Sequence, residues 1–307
     1  MSKIAFIFPG QGAQACGMGQ DFYEHTETGK RIFDKATELM GFSMPQLCFE
    51  ENDRLDITEY TQAAMVTASI AMMRVLEENG IKPDVAAGLS LGEYCALAAA
   101  GVMSDEDAIR TVRQRGILMQ EAVPVGEGAM AAILALDASA IEEVTGAMEG
   151  VWIANYNCPG QIVISGEKAA VEEACEKLKA AGAKRAVMLN VSGPFHSGML
   201  ADAGEKLGEV LSQVELHEPQ IPYVANVTAQ YVKSAAEVKE LLTRQVSSSV
   251  RWQQSVEAMI ADGVDTFIEI GPGKTLAGFM RKISRDVKTL NVEKLEDISK
   301  VAEALKS

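Results

Sequence analysis

Ser90 stands in "AAGLSLGE", residues 86–93, with Gly88 and Gly92 two positions to either side. A serine hydroxyl is a weak nucleophile until a base takes its proton. The G-x-S-x-G spacing has catalytic meaning only where a strand runs into the serine and a helix leaves it, so that a tight turn presents the hydroxyl. Both conditions are met in pattern. "PDVAAG" (83–88) reads as a short strand, and "SLGEYCALAAAG" (90–101) is rich in helix formers and stops at Gly101. A helix starting there aims backbone N–H groups back at the serine, so that the Leu91 N–H is placed for a developing oxyanion. The alternative reading is a glycine-rich surface turn.

Three histidines could act as base: His25, His196 and His217. His196 lies in "VSGPFHSGML", a loop after a strand and at a helix start, where the positive helix end favours the neutral imidazole that a base must be. Taken alone it is equally a surface histidine. His25, beside Glu24, Thr26 and Glu27, and His217, in "ELHEP", read as solvated. No acidic residue stands out as a third triad member, which leaves a backbone or amide oxygen to orient the ring.

Arg115 is the other candidate. The spacing predicts a helix over 104–121, with Ser104 as N-cap and Asp105, Glu106 and Asp107 in its first turn. Arg115 falls within the apolar arc of Ala108, Val112 and Met119, whereas Arg110 and Arg113 fall on the polar side. A desolvated guanidinium needs a carboxylate. That partner is an internal Asp or Glu, or a carboxylate on a substrate, and the pattern alone leaves both open.

Two glycine clusters resemble nucleotide motifs. In "FPGQGAQ" (8–14), Gly10, Gly12 and Ala15 match G-x-G-x-x-G/A after a strand, but the second strand which that motif requires is missing, since residues 25–40 look helical. The loop can instead lend the Gln11 backbone to a neighbouring site. "GPGKT" (271–275) lacks the first Walker glycine, with Ile268 in its place, and reads as a strand-to-helix turn.

The elements that must hold these residues alternate. "KIAFIF" (3–8) is a buried parallel strand, and residues 30–80 are mostly helical, broken at Gly41 and Pro45. From 129 to 191 the order is strand, helix, two strands about Pro159-Gly160, helix, strand, which is the split βαβ or ferredoxin-like order. Helices over 198–214, 236–246, 252–261 and 274–284 and strands over 222–226 and 265–271 follow. The expected fold is α/β with a parallel sheet, its core formed by 1–124 and 191–307 and a small subdomain inserted at 125–190.

The chain has 307 residues, 48% of them hydrophobic, which suffices for a sizeable core. A formal net charge of -15 argues against nucleic acid. No window approaches a membrane span, and the first residues are too short an apolar run for a signal peptide. Five cysteines without a CxxC argue against a disulfide framework or a zinc site and for a reducing cytoplasm.

Taken in order, "FPGQGAQ", "GLSLGEY", an arginine twenty-five residues after the serine, "GPFHSGML" and "GPGKTLAG" resemble the malonyl-CoA:acyl carrier protein transacylases over residues 3–284. The resemblance implies an α/β-hydrolase-like core carrying a ferredoxin-like insert. It implies that Ser90 is acylated, that His196 is its base, that Gln245 orients the histidine, and that the N–H groups of Gln11 and Leu91 form the oxyanion hole. Arg115 would hold the malonyl carboxylate, and Phe195 would limit the acyl group to malonyl. The implied partners are malonyl-CoA and acyl carrier protein, with no metal and no bound redox cofactor, and a cytoplasmic monomer is expected. One position departs from the family, since Leu89 stands where a histidine usually precedes the serine. A serine hydrolase or thioesterase, and a carrier-binding module without turnover, are the rival readings.

Overall fold

The computed structural model describes residues 2–191 and 193–306. β1 (Ile4–Phe8) and β2 (Val85–Gly88) are short apolar strands of the main sheet. β3 (Gly128–Leu134), β4 (Val151–Cys158), β5 (Gln161–Glu167) and β6 (Arg185–Met188) form a second sheet, and β7 (Tyr223–Val224), β8 (Thr266–Ile270) and β9 (Lys288–Val292) return to the first. The main sheet has the order β7-β2-β1-β8-β9, with every pairing parallel.

β1 and β2 are buried on both faces, which is why they read as unbroken apolar runs. On β1, Phe6 and Phe8 face one cluster with Met65, Ala68 and Met72 of the Thr58–Glu78 helix. Ala5 and Ile7 face another, with Trp252, Val256 and Met280. The 21-residue Thr58–Glu78 helix is buried nearly all round, and the Asp105–Glu121 helix lies against it. Gly116 allows that approach, because a Cβ there would come within 2.7 Å of the Glu59 Cα.

The second sheet has the order β4-β5-β3-β6 with antiparallel pairings. It packs with the Ala138–Gly146 and Lys168–Ala180 helices around its own core of Ile133, Ile141, Ile164, Val171 and Leu178. Backbone bonds tie this sheet to the segment just before the Trp252–Ala261 helix. Tyr156 N–H donates to the Val250 carbonyl at 2.9 Å, and Val250 N–H to that of Ala154 at 2.8 Å.

Several expectations change. The helical stretch over 30–80 is three helices, Glu27–Met40, Met44–Phe49 and Thr58–Glu78. Pro45 sits in the first turn of the second, where its missing N–H costs nothing, so it starts a helix rather than breaking one. The helix expected over 198–214 begins as a 3-10 turn, Gly198–Leu200, and ends at Leu211. The chain also continues past 284 with β9 and an Asp297–Lys306 helix, neither of which the pattern reveals.

Candidate active site

Ser90 lies between the end of β2 and the Gly92–Ala99 helix, in the left-handed region at φ 54°. That conformation is unfavourable for a residue with a side chain and persists only where surrounding contacts hold it. Both glycines of the motif are required by space. A Cβ on Gly88 would lie 1.9 Å from the Gly92 backbone, and one on Gly92 would lie 2.3 Å from the Phe8 carbonyl oxygen. Asn226 holds the turn from outside. Its Oδ1 accepts from the Ser90 N–H at 2.7 Å and its Nδ2 donates to the Gly88 carbonyl at 2.6 Å.

His196, also left-handed at φ 59°, is buried and brings Nε2 to 2.7 Å from Ser90 Oγ. Its Nδ1 is 2.8 Å from the Gln245 main-chain carbonyl. A carbonyl only accepts, so Nδ1 carries the proton and Nε2 is left to receive the serine's. Burial, and next the Arg115 guanidinium, hold the imidazole down to about 3, against backbone hydrogen bonds at Gln245 and Ser248 that favour its charged form. The ring is therefore neutral throughout the physiological range.

Arg115 is 1% exposed. One terminal nitrogen donates to Gln62 Oε1 at 2.8 Å; the other donates to Gln245 Oε1 at 3.0 Å and to Ser90 Oγ at 3.1 Å. Among the described residues it forms no ion pair, and its Nε has no hydrogen-bond partner. Burial lowers its pKa, opposed by Tyr94 and Glu93. An internal ion pair, one of its two sequence readings, is thus absent among the described residues.

Gln245 holds the histidine by its main chain and not by its amide, which is engaged elsewhere. Gln245 Nε2 donates to Ser90 O at 3.0 Å and to Glu93 Oε2 at 2.7 Å. Leu91 follows the serine as N-cap of the Gly92–Ala99 helix, and Gln11 lies in the loop after β1. Gln11 Nε2 donates to Thr58 Oγ1 at 3.1 Å, and among the described residues neither backbone N–H has an acceptor. Leu89 lies over the Gln11 loop, since a Cβ on Gly10 would come within 2.6 Å of its side chain. Phe195 is buried beside His196. His25 and His217 are exposed, as expected of solvated histidines.

The Gly10 and Gly12 loop leads into the Gln20–His25 and Glu27–Met40 helices, and the next strand is β2, so the dinucleotide arrangement is absent. At Gly271 and Gly273 the turn leads from β8 to the Thr275–Ile283 helix, as the sequence pattern predicts.

Three site residues escaped sequence reasoning: Gln62, Asn226 and Glu93. Gln62 is on a helix that is apolar nearly throughout, and Asn226 follows a two-residue strand. Glu93 had a signal, as the one charge within "GEYCALAAAG". Its carboxyl is buried, which pushes it up to about 7 although Gln245, the Asn226 N–H and Arg115 all favour its charged form.

A serine, a neutral histidine in hydrogen-bond reach and a buried cation with spare valence form a set able to accept and release an acyl group. Comparison with known proteins agrees. The acyl transferase domain family matches residues 5–300. A malonyl CoA-acyl carrier protein transacylase of Bacillus subtilis (strain 168) is 50% identical over 311 aligned positions, covering 100% of this chain and 98% of the relative. An acyl carrier protein S-malonyltransferase from Vibrio cholerae superposes with a TM-score of 0.95 at 42% identity, covering 98% of this chain and 100% of that one. A malonyl-transacylase solved in complex with its type II PKS acyl-carrier protein gives 0.95 at 40%, covering 99% and 100%. The chain belongs to the acyl transferase family, among the malonyl-CoA:acyl carrier protein transacylases. It is an acyltransferase.

Proposed function

We propose that the protein moves the malonyl group of malonyl-CoA to the phosphopantetheine thiol of acyl carrier protein, in a ping-pong reaction through malonyl-Ser90. Ser90 Oγ gives its proton to His196 Nε2 and attacks the thioester carbonyl; the backbone N–H groups of Gln11 and Leu91 receive the oxyanion. The C–S bond breaks, and the CoA thiolate takes the proton from His196. The carrier thiol then gives its proton to His196 and attacks the Ser90 ester; the C–O bond to Ser90 breaks, and Ser90 Oγ takes the proton back from His196. Arg115 pairs with the malonyl carboxylate, and Phe195 bounds the acyl pocket. Every step is an acyl or proton transfer between named groups, so the reading includes no metal and no bound cofactor.

The observation that carries this reading is the meeting, at one serine oxygen, of His196 at 2.7 Å and, at 3.1 Å, an Arg115 that forms no ion pair among the described residues. The reading extends to the architecture. The core, 1–124 and 191–307, is α/β-hydrolase-like and the insert, 125–190, ferredoxin-like, supported by a strand order that places the first and last insert strands side by side. It places a monomer in the cytoplasm, in line with five free cysteines.

Intact mass after mixing with malonyl-CoA should show a malonyl adduct that Ser90→Ala abolishes. A normal adduct in the variant removes Ser90 from the role. An adduct that decays in water as fast as it passes to carrier protein makes the protein a thioesterase.

A further inference from the structure

Among the described residues no acidic side chain is hydrogen-bonded to His196, yet one lies a single residue removed from it. Glu93 is 1% exposed and, among the described residues, forms no ion pair. We infer that Glu93 is a positioning residue for the Ser90–His196 pair, acting through Gln245 and Asn226. The inference deepens the acyl-transfer reading and rests on it.

Both hydrogen bonds to Glu93 end on one oxygen. Oε2 accepts from Gln245 Nε2 at 2.7 Å and from the Asn226 main-chain N–H at 3.1 Å. The first bond determines which way the Gln245 amide faces. Its Nε2 has three acceptors around it, Glu93 Oε2, Ser90 O at 3.0 Å and Asn226 Oδ1 at 3.4 Å, while its Oε1 meets the Arg115 guanidinium at 3.0 Å. A reversed amide would set oxygen against those three and NH₂ against a cation. Gln245 is also the residue whose carbonyl holds His196 Nδ1. The second bond fixes the main chain of Asn226, whose side chain clamps Gly88 O and Ser90 N. One carboxylate oxygen therefore ties the holder of the base to the holder of the nucleophile, across three separate segments of chain.

The geometry distinguishes position from charge. In Glu93→Gln the amide oxygen can take the place of Oε2 and keep both bonds. The NH₂ then falls in the place of Oε1, which has no hydrogen-bond partner among the described residues. Glu93→Asp keeps the charge but draws the oxygen back from both donors by one methylene. Glu93→Ala removes the acceptor.

The test measures two reactions of Ser90 in the full-length protein. One is acylation by malonyl-CoA, followed by quenched flow and intact mass across thioester concentrations. The other is labelling by a fluorophosphonate, which reports serine–histidine alignment without a malonyl group. Misplacing reacting groups by about 1 Å costs up to roughly a hundredfold in rate, so Glu93→Ala and Glu93→Asp should lose about ten- to hundredfold in the maximal rate of both. The half-saturating malonyl-CoA concentration should change less than about threefold, because the bonds lost do not touch substrate. Glu93→Gln should recover most of the loss. Should Glu93→Ala fail to fold, the ranking of Gln above Asp carries the test. Asp ranking above Gln, a loss confined to half-saturation, or a Glu93→Ala rate within about twofold of wild type overturns the inference. A wild type that labels with fluorophosphonate in the expected ranking, yet gains no malonyl adduct, keeps the positioning role and removes the acyl-transfer reading.

Discussion

Two turns at the carboxyl edge of the main sheet are built alike and behave differently. One leads from β2 through Ser90 into the Gly92–Ala99 helix, the other from β8 through Gly271 and Gly273 into the Thr275–Ile283 helix. Each has glycines at its bends and a fully buried glutamate beside it, Glu93 or Glu269, and burial pushes both carboxyls up to about 7. They differ in where the carboxylate points. Glu269, on the strand, offers Oε1 to the Leu276 N–H at 3.0 Å and Oε2 to that of Ala277 at 2.8 Å. The chain's own acid thus fills the positive end of the helix. Glu93, on the helix, faces away towards Gln245 and Asn226, which leaves the Leu91 N–H without an acceptor among the described residues. Glycine spacing announces a turn; the position of one glutamate decides whether the helix end is free to do chemistry.

If the Ser90 turn is open for an anionic acyl group, Arg115→Ala should separate substrates. A hydrogen bond to a charged group is worth about 1.5–3 kcal/mol, and each ~1.4 kcal/mol is tenfold in rate. kcat/KM for malonyl-CoA should fall about ten- to hundredfold. Acetyl-CoA has no carboxylate to lose, and its transfer should hold within a few-fold or rise. Steady-state kinetics with both thioesters on folded protein decides this. Equal losses would mean that Arg115 only braces Gln62 and Gln245, to which it also donates.

The second turn should respond in stability instead. Glu269 uses both oxygens, so Glu269→Gln sets an NH₂ against a buried N–H, where Glu93→Gln does not. An unsatisfied buried donor costs about 1–3 kcal/mol, to be read from urea unfolding. The sign of its pH dependence follows from the raised pKa. Between the usual carboxylate value near 4.5 and about 7, the folded protein holds a proton on Glu269 that the unfolded chain releases. The contribution of Glu269 is complete below that window and is lost as pH rises through it, so the variant's deficit should be larger at pH 5 than at pH 8. A deficit that grows with pH would show that Glu269 is ionised across the range and acts purely as a charged cap.

How much of this was legible depends on whether the cause is local. The Ser90 turn is local, since two glycines, a strand before and a helix after all lie within residues 83–101. Arg115 was legible through helical spacing alone, and the insert's element order through its two helical patterns and Pro159-Gly160. Asn226 was not, because it reaches Ser90 across 136 positions and nothing in "PYVAN" marks it. The Gln245 carbonyl carries no letter of its own, so the pattern leaves a backbone or an amide oxygen open, and only the fold shows that it is main chain. β9 was hidden because it is an edge strand in which only Val292 is buried, leaving no apolar run to read.

The smallest effect concerns the helix that Glu269 caps. Its end carries the exposed cations Arg281 and Lys282, with Arg285 just beyond, and exposed Lys184 and Arg185 stand at the start of β6. The fold brings the two groups to one side. Arg185 pairs across from Leu134, Leu134 from Gln161, and Lys282 Nζ reaches Gln161 Oε1 at 3.5 Å. Among the described residues none of the five is in an ion pair, although the chain is at -15 overall. An acidic carrier approaching an acidic enzyme needs such a local exception. Exposed charge pairs are worth about 0.2–1 kcal/mol each, so Lys282→Glu or Arg185→Glu should raise KM for the carrier up to about fivefold. The double variant should raise it further, and 0.5 M salt should erase the difference, since exposed charges are screened within about 3–10 Å at these strengths. Malonyl-CoA kinetics of the first half-reaction should not move, because neither side chain reaches Ser90, His196 or Arg115. Reversals that leave the carrier KM unchanged at low salt would take docking off this face and leave the capped turn with a structural role alone.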